Sequence, residues 1–313
     1  MLIIHNLLDI PQKNNHFPPV GLTIGNFDGV HLGHRELLKK IKSECEKQKL
    51  LFVVITFVPH PLKILEPEKE HFLINSYTER RKLLKELGVD VLVEMNFTRD
   101  FSTLKPEIFL ANHLLAYPNL KNFYLGYDFA FGSNKMGKHE LVFSVCKPRG
   151  INVEIQPKYD INGKVVSSSF VREKLLEGSI DEVTEILARP FHLEGVVVKG
   201  EGRGKKIGFP TANIQVSSDL IIPQKGVYVT RTLYKDMMYQ SVTNIGNNPT
   251  FKDTNQIHVE TNLFDFNSDI YGEILEIQFL HKIRDEKKFP TVNDLISQIK
   301  ADVEKAKQFL VTK

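Results

Sequence analysis

The chain changes rhythm once. From its start to about residue 188, apolar strand-like runs alternate with helical patterns. "VGLTIG" (20–25) precedes a helix expected from about Gly33 to Lys49, and "LLFVVITF" (50–57) follows it. "YTERRKLLKELG" (77–88) reads as a helix, with Ser76 and Glu79 at capping-box spacing and Gly88 able to end it. "VDVLVEM" (89–95) is the next strand, followed by a helix entered near Pro106, the strand "NFYLG" (122–126) and a helix closing near Gly150. Such alternation implies an α/β domain whose parallel sheet is covered on both faces. Ligands of these sheets bind beyond the carboxyl ends of the strands. His31, the run Pro59-His60-Pro61 and Asp128 all follow strands at that end.

After about residue 189 short strand candidates succeed one another without helices: "LEGVVVKG", "GVYVTRTLY", "YQSVTNIG", "IHVETNLFDF" and "EILEIQFL". That pattern predicts an antiparallel barrel or sandwich. In the final "TVNDLISQIKADVEKAKQFL", Leu295, Ile299, Val303, Ala306 and Leu310 share one helical face, predicting a terminal helix packed on the barrel. The break falls near residues 185–189, giving expected domains over 1–185 and 186–313.

A length of 313 residues exceeds the comfortable size of a single core and also predicts two domains. The formal net charge of +3 is small for this length and argues against a dedicated nucleic-acid partner. Cys45 and Cys146 stand outside any metal-binding spacing and read as thiols in a reducing compartment. The start, "MLIIHNLLDIPQK", lacks a basic leader, and no stretch approaches the ~20 apolar residues that span a bilayer. A cytoplasmic protein with no membrane partner is expected, and a weak homo-oligomer is compatible with the sequence.

Two short stretches carry chemistry. In "TIGNFDGVHLGHRELL" (23–38), strand gives way to helix at His31-Leu32-Gly33-His34. Free N–H groups and the helix dipole make such a turn an anion site. His31 and His34 could each donate to phosphate oxygens there, while Gly33 lets backbone come close. Zinc would need further ligands that the sequence does not supply. Ser167, Ser168 and Ser169 precede a helix with Arg172 in its first turn, which fits either phosphate contact or an ordinary serine cap. The second stretch, "KGEGRGKKIGFPTANI" (199–214), mixes Gly200, Gly202, Gly204 and Gly208 with Lys199, Arg203, Lys205 and Lys206. A loop of this kind can fold over phosphates, though it matches neither a P-loop nor a dinucleotide fingerprint.

"GNFDGVHLGH" (25–34) resembles the HxGH signature of the nucleotidylyltransferase superfamily, in its FMN adenylyltransferase branch. "FVPHP" (57–61), "GYDFAFG" (126–132) and "VSSSFVREKLLEG" (166–178) follow in the order of that branch. Val58 departs from the pattern, where Glu is usual, as does Ala130, where a basic residue is common. "GFPTANI" is similar to the PTAN motif of riboflavin kinases, and "GVYV" (226–229), "NIGNNPTF" (244–251), "VETNLFDF" (259–266), "DIYG" (269–272) and "FLHKIRDEKKF" (279–289) continue that likeness.

The resemblance implies a Rossmann-like nucleotidylyltransferase domain followed by a riboflavin kinase-like barrel. It implies ATP-dependent phosphorylation of riboflavin to FMN, then adenylylation of FMN to FAD with release of pyrophosphate, both with Mg²⁺. Carried over by position, the catalytic residues are His31, His34 and the carboxylate Glu260. Nucleotide would be bound by Gly25, Phe27, Asp28, Gly33, Ser167, Ser168, Ser169 and Arg172 in the first domain. Gly202, Lys205, Gly208, Pro210, Thr211 and Asn213 would do so in the second, Thr211 and Asn213 also holding the metal. Flavin would meet Pro59, His60, Pro61, Asp128, Phe129 and Arg284. The alternatives are a chain with one of the two activities, or a flavin-responsive RNA-binding regulator on the same scaffold.

Overall fold

A computed structural model describes residues 1–161, 163–200, 202, 204, 207–247 and 257–311. Contacts within the chain group it into two compact units. One comprises Met1–Glu70 and Ser76–Ser168, the other His71–Asn75 and Ser169–Lys313.

The first unit is built on six strands: β1 (Leu2–Ile4), β2 (Val20–Ile24), β3 (Leu51–Val58), β4 (Val91–Asn96), β5 (Leu120–Leu125) and β6 (Asn152–Ile155). They pair in the order β1-β4-β3-β2-β5-β6, every pair parallel. Between them run α1 (Leu32–Gln48), α2 (Pro61–Leu65), α3 (Tyr77–Glu86), α4 (Arg99–Ser102), α5 (Pro106–Phe109) and α6 (His139–Cys146). Alternate residues of one strand enter different cores, as expected for a sheet buried on both faces. Val53, Ile55, Val91 and Val93 join one cluster with Phe109, Leu114 and Val142. Val54 and Leu92 join the other, with Leu38, Ile41 and Cys45 of α1 and Leu83 and Leu84 of α3. Helix α1 lies so close to β2 that a Cβ on Gly21 would stand 2.5 Å from the Cys45 sulfur. A short hairpin, β7 (Asp160–Ile161) with β8 (Lys164–Val165), follows β6.

In the second unit, α7 (Ser168–Glu177, its first residue belonging to the first unit) and α8 (Ile180–Leu187) precede the strands β9 (Phe191–Val198), β10 (Ala212–Val216), β11 (Gly226–Tyr234), β12 (Met237–Asn247), β13 (Ile257–Leu263) and β14 (Ile274–Arg284). These close into an antiparallel barrel in the order β10-β13-β12-β11-β14-β9, with β9 also pairing β10. Its interior holds a chain of fully buried hydroxyls. Thr232 meets Ser241, Ser241 meets Thr230, Thr230 meets Thr243 and Thr243 meets Thr261, at 2.8–3.0 Å. Each hydroxyl can donate and accept, so the chain satisfies itself without water. Helix α9 (Val292–Val311) packs Ala306 and Leu310 against Val229 and Phe264, as the apolar stripe predicts.

The compact units part at Ser168/Ser169, earlier than the break in rhythm at residues 185–189. The cause is the amphipathic helix α8, whose Ile180, Val183, Ile186 and Leu187 are buried and which packs on β9 and β14. Helix α7 is tied in as well, since Gln224 N–H donates to the Leu175 carbonyl at 2.9 Å. Segment 71–75 also belongs here. Leu73 bridges Leu220 in parallel, and the His71 N–H donates to the Ser218 carbonyl at 2.7 Å.

The close approach of α1 to β2 has a measurable consequence. Gly21→Ala should lower unfolding free energy by about 1–3 kcal/mol through overpacking. Adding Cys45→Ala, which removes the obstructing sulfur, should recover part of that loss in chemical denaturation.

Candidate functional site

Neighbouring parallel strands carry the first set of candidate residues to one end of the sheet. Strand β2 ends at Ile24 and the chain turns through Gly25–Val30 into α1. His31 caps that helix, its Nδ1 accepting the His34 N–H at 3.3 Å. A neutral His31 therefore carries its proton on Nε2, as a donor. The two imidazoles stack with centroids 3.7 Å apart and planes 16° from parallel. Phe27 closes on His34 edge-on at 5.1 Å. Burial and the neighbouring His31 ring hold His34 well below the ordinary histidine range. Its Nδ1 is buried without a hydrogen-bond partner among the described residues.

The turn is tightly specified. Phe27, Gly29 and Val30 all have positive φ, 49°, 82° and 39°, a region that costs a β-branched residue such as Val30 dearly. A Cβ at Gly33 would press on the His31 ring at 3.3 Å, so glycine leaves the capping imidazole its place. Asp28 is buried, and its carbonyl accepts the Ser168 hydroxyl at 2.9 Å. Ser167 is half-buried beside it in the same unit. Ser169 and Arg172 belong to the second unit, where the Arg172 Nε donates to the Phe72 carbonyl at 2.6 Å.

On the next strand, β3 leads into Pro59-His60-Pro61. His60 is buried and caps α2, its Nδ1 accepting the Leu62 N–H at 3.1 Å. Beyond β5, Asp128 is exposed, whereas Phe129 stacks on Phe131 at 5.1 Å and packs against the core.

In the barrel unit a cavity of about 650 Å³ lies against β10, β12, β13 and α9. The strand period of two places its wall. On β13, His258, Glu260 and Asn262 line the cavity, while Val259, Thr261 and Leu263 are buried. Glu260 is in register with Asn213 of β10 on one side and Asn244 of β12 on the other. Gly202, Thr211 and Arg284 line the same cavity, whereas Gly208 and Pro210 line a neighbouring hollow of about 300 Å³. Lys205 lies outside the described residues, as do Arg203 and Lys206. A Cβ on Gly200 would run into the Asn213 amide.

Arg284 is already engaged. Its Nε and Nη2 both donate to Asp302 Oδ2, at 2.9 and 2.8 Å, and Gln298 donates to the other oxygen at 2.9 Å. Asp302, only 2% exposed, was missed in the sequence, as were the cavity residues Asn244 and His258, while Glu286, which reads in the sequence as an ordinary surface carboxylate, also lines the cavity. The signal for Asp302 was available: the spacing 295, 299, 302, 306 puts an aspartate in phase with the apolar stripe of α9. Among the described residues, no three His, Cys, Asp or Glu gather as a metal site. None of the described helices is long and apolar enough to cross a membrane.

Comparison with known proteins covers both units. Residues 13–170 match the FAD synthetase family and residues 187–310 the riboflavin kinase family. A Bacillus subtilis protein named bifunctional riboflavin kinase/FMN adenylyltransferase is 33% identical, with 91% of this chain and 90% of that one aligned. The Escherichia coli protein of the same name is also 33% identical, over 98% of this chain and 96% of its own length. A crystal structure from Streptococcus pneumoniae, titled as a macrolide-efflux protein, superposes with a TM-score of 0.84 at 33% identity, covering 98% of each chain. Both family matches, in this order on one chain, and full-length relatives at this identity lead to one conclusion: the chain belongs to the bifunctional riboflavin kinase/FMN adenylyltransferase family.

Proposed function

We propose that this chain makes FAD from riboflavin in two ATP-dependent steps, with the barrel unit forming FMN and the parallel-sheet unit adenylylating it. The observation that carries the reading is the register that sets Glu260 between Asn213 and Asn244 on a cavity wall. It stands on a chain whose other unit presents a stacked histidine pair at a helix N-terminus. Incubation with riboflavin, ATP and Mg²⁺, followed by chromatography, should yield FMN and then FAD. Formation of neither product would overturn the proposal.

In the first step the terminal ribityl hydroxyl attacks the γ-phosphorus of ATP, a new O–P bond forms and the bond to ADP breaks. Glu260 orients that hydroxyl and accepts its proton late, which a weak base can do when the transition state is loose. Thr211 and Asn213 offer a hydroxyl and an amide oxygen, hard donors of the kind magnesium prefers. The absence of a side chain at Gly200 gives the Asn213 amide its space, so these residues fit the metal. Bound there, magnesium would offset the charge of the ATP phosphates. Arg284, oriented by Asp302, supplies a fixed positive charge for substrate.

In the second step a phosphate oxygen of FMN attacks the α-phosphorus of ATP, and the bond to pyrophosphate breaks. His31 and His34, at the N-terminus of α1, donate N–H groups to the charge that builds on phosphate. The buried, unpartnered His34 Nδ1 supports this, because a ligand at this turn would give it the partner it lacks. Pro59, His60, Pro61, Asp128 and Phe129 form the flavin side of that site. Neither step passes through a covalent enzyme intermediate. Both substrates belong to the ATP-containing cytoplasm, where we place the chain.

His31→Ala or His34→Ala should each cost ~2–4 kcal/mol of transition-state stabilisation in FAD formation while FMN formation continues, as separate assays of the two steps would record. Glu260→Gln should lower riboflavin phosphorylation by ~10²–10⁴-fold and leave adenylylation of supplied FMN intact.

His34 also predicts a pH dependence. Its folded-state pKa lies below the value of 6.5 for a free histidine. As pH falls through that value the unfolded chain takes up a proton that the folded chain refuses. Stability is therefore full above pH 6.5 and declines below it. Thermal unfolding across this range should show a flatter acid limb in His34→Gln.

A further inference from the structure

Helix α3 buries Arg80, Leu83 and Leu84 on one face, a guanidinium in phase with two leucines. Arg80 is 2% exposed. Its Nη1 donates to the Asn26 carbonyl at 3.0 Å and its Nη2 to the Phe57 carbonyl at 3.3 Å. Asn26 opens the strained turn that ends in His31, and Phe57 is the penultimate residue of β3, two before Pro59-His60-Pro61. One side chain thus binds the roots of both loops. Its neighbours reinforce the clamp. Tyr77, one turn earlier on α3, carries the guanidinium 5.0 Å above its ring, and its hydroxyl accepts the His60 N–H at 2.8 Å. Thr56 donates to the same Asn26 carbonyl at 3.2 Å.

The clamp carries a solvation cost. A buried guanidinium loses solvation, and the Arg80 Nε is buried without a partner among the described residues. Glu94, 3.9 Å from Nη2, already has a closer cation in Arg81, whose Nε and Nη2 reach it at 3.0 and 2.6 Å. An apolar side chain of similar length would fill the space and leave Glu94 paired.

We propose that Arg80 is a positioning residue for adenylyl transfer, locking the histidine loop and the His60 loop at the separation the reaction needs. This rests on the adenylyltransferase reading above. Arg80 need touch neither substrate: its hydrogen bonds go to backbone carbonyls, and it acts through the loops they anchor. In-line displacement is sensitive to such placement, a shift of ~1 Å being enough to slow a reaction ~100-fold.

The test is steady-state kinetics of the full-length chain with Arg80→Met and Arg80→Lys, alongside thermal unfolding. Arg80→Met should lower the kcat for FAD formation ~10–100-fold, with the KM for ATP and for FMN each changing less than about threefold. Arg80→Lys, whose single ammonium reaches one carbonyl at a time, should recover part of the loss. Riboflavin phosphorylation in the same preparations should keep the parent rate. Parent kcat in a folded Arg80→Met chain would overturn the proposal, as would a loss that merely tracks the unfolded fraction. If Arg80→Met fails to fold, Arg80→Lys decides alone: reduced kcat supports the clamp and parent kcat overturns it. A parent chain that makes no FAD would instead sink the adenylyltransferase reading itself.

Discussion

Strand register is the constraint on which both candidate sites depend. Side chains alternate across a strand, so a slip of one residue sends every group to the opposite face. In the barrel, such a slip of β13 would turn Glu260 inward and bring Thr261 to the cavity, emptying the wall opposite Asn213 and Asn244. The self-satisfied hydroxyl chain inside the barrel resists that exchange, because Thr261 would abandon Thr243 and a carboxylate would be buried in its place. In the sheet, parallel pairing of β2 with β3 and β5 sets three loops at one end, each loop then free to vary.

The two histidines show how local geometry decides protonation. Capping fixes one tautomer, because the His31 Nδ1 already accepts a backbone N–H. Burial then penalises a charge on the second ring, His34, and the stacked His31 ring, where a second positive charge would repel, adds to the penalty. His34 is thereby held toward its neutral form. On the proposed reading, a neutral N–H at this turn could strengthen its hydrogen bond to a phosphate without first surrendering an ion pair.

Much of the fold was legible in the sequence because long apolar runs and helical periodicity leave a clear imprint. The order of β2 to β5, their helices and the terminal helix follow the expected rhythm. Strand β1 has three residues and β7 and β8 two each, too few to display any period. Strand β10 was hidden because its residues Ala212–Val216 overlap the motif read as a loop. The boundary shifted because α8 continues the strand-helix rhythm while its apolar face packs on β9 and β14, a tertiary fact that periodicity cannot carry. Motif residues such as His31, Asn213 and Glu260 could be named by position. Asp302 could be flagged by its phase with the apolar stripe of α9 but not given a role, and Arg80 could not be singled out, since a charge among leucines is informative only once its partners are known.

Segment 71–75 has a consequence for how the chain comes into being. It is made early, within the stretch that builds the parallel sheet, but the strand partner of Leu73 is Leu220. At ~5–20 residues per second, the ribosome delivers that partner roughly seven to thirty seconds later, at roughly 150 residues' distance. During the interval the sheet can close around its own strands, while Phe72, Leu73 and Ile74, all buried in the finished protein, still lack their cover. Burial of these three apolar residues therefore waits on the second half of the chain. The same threading means that the two units cannot be separated by one cut in the gene.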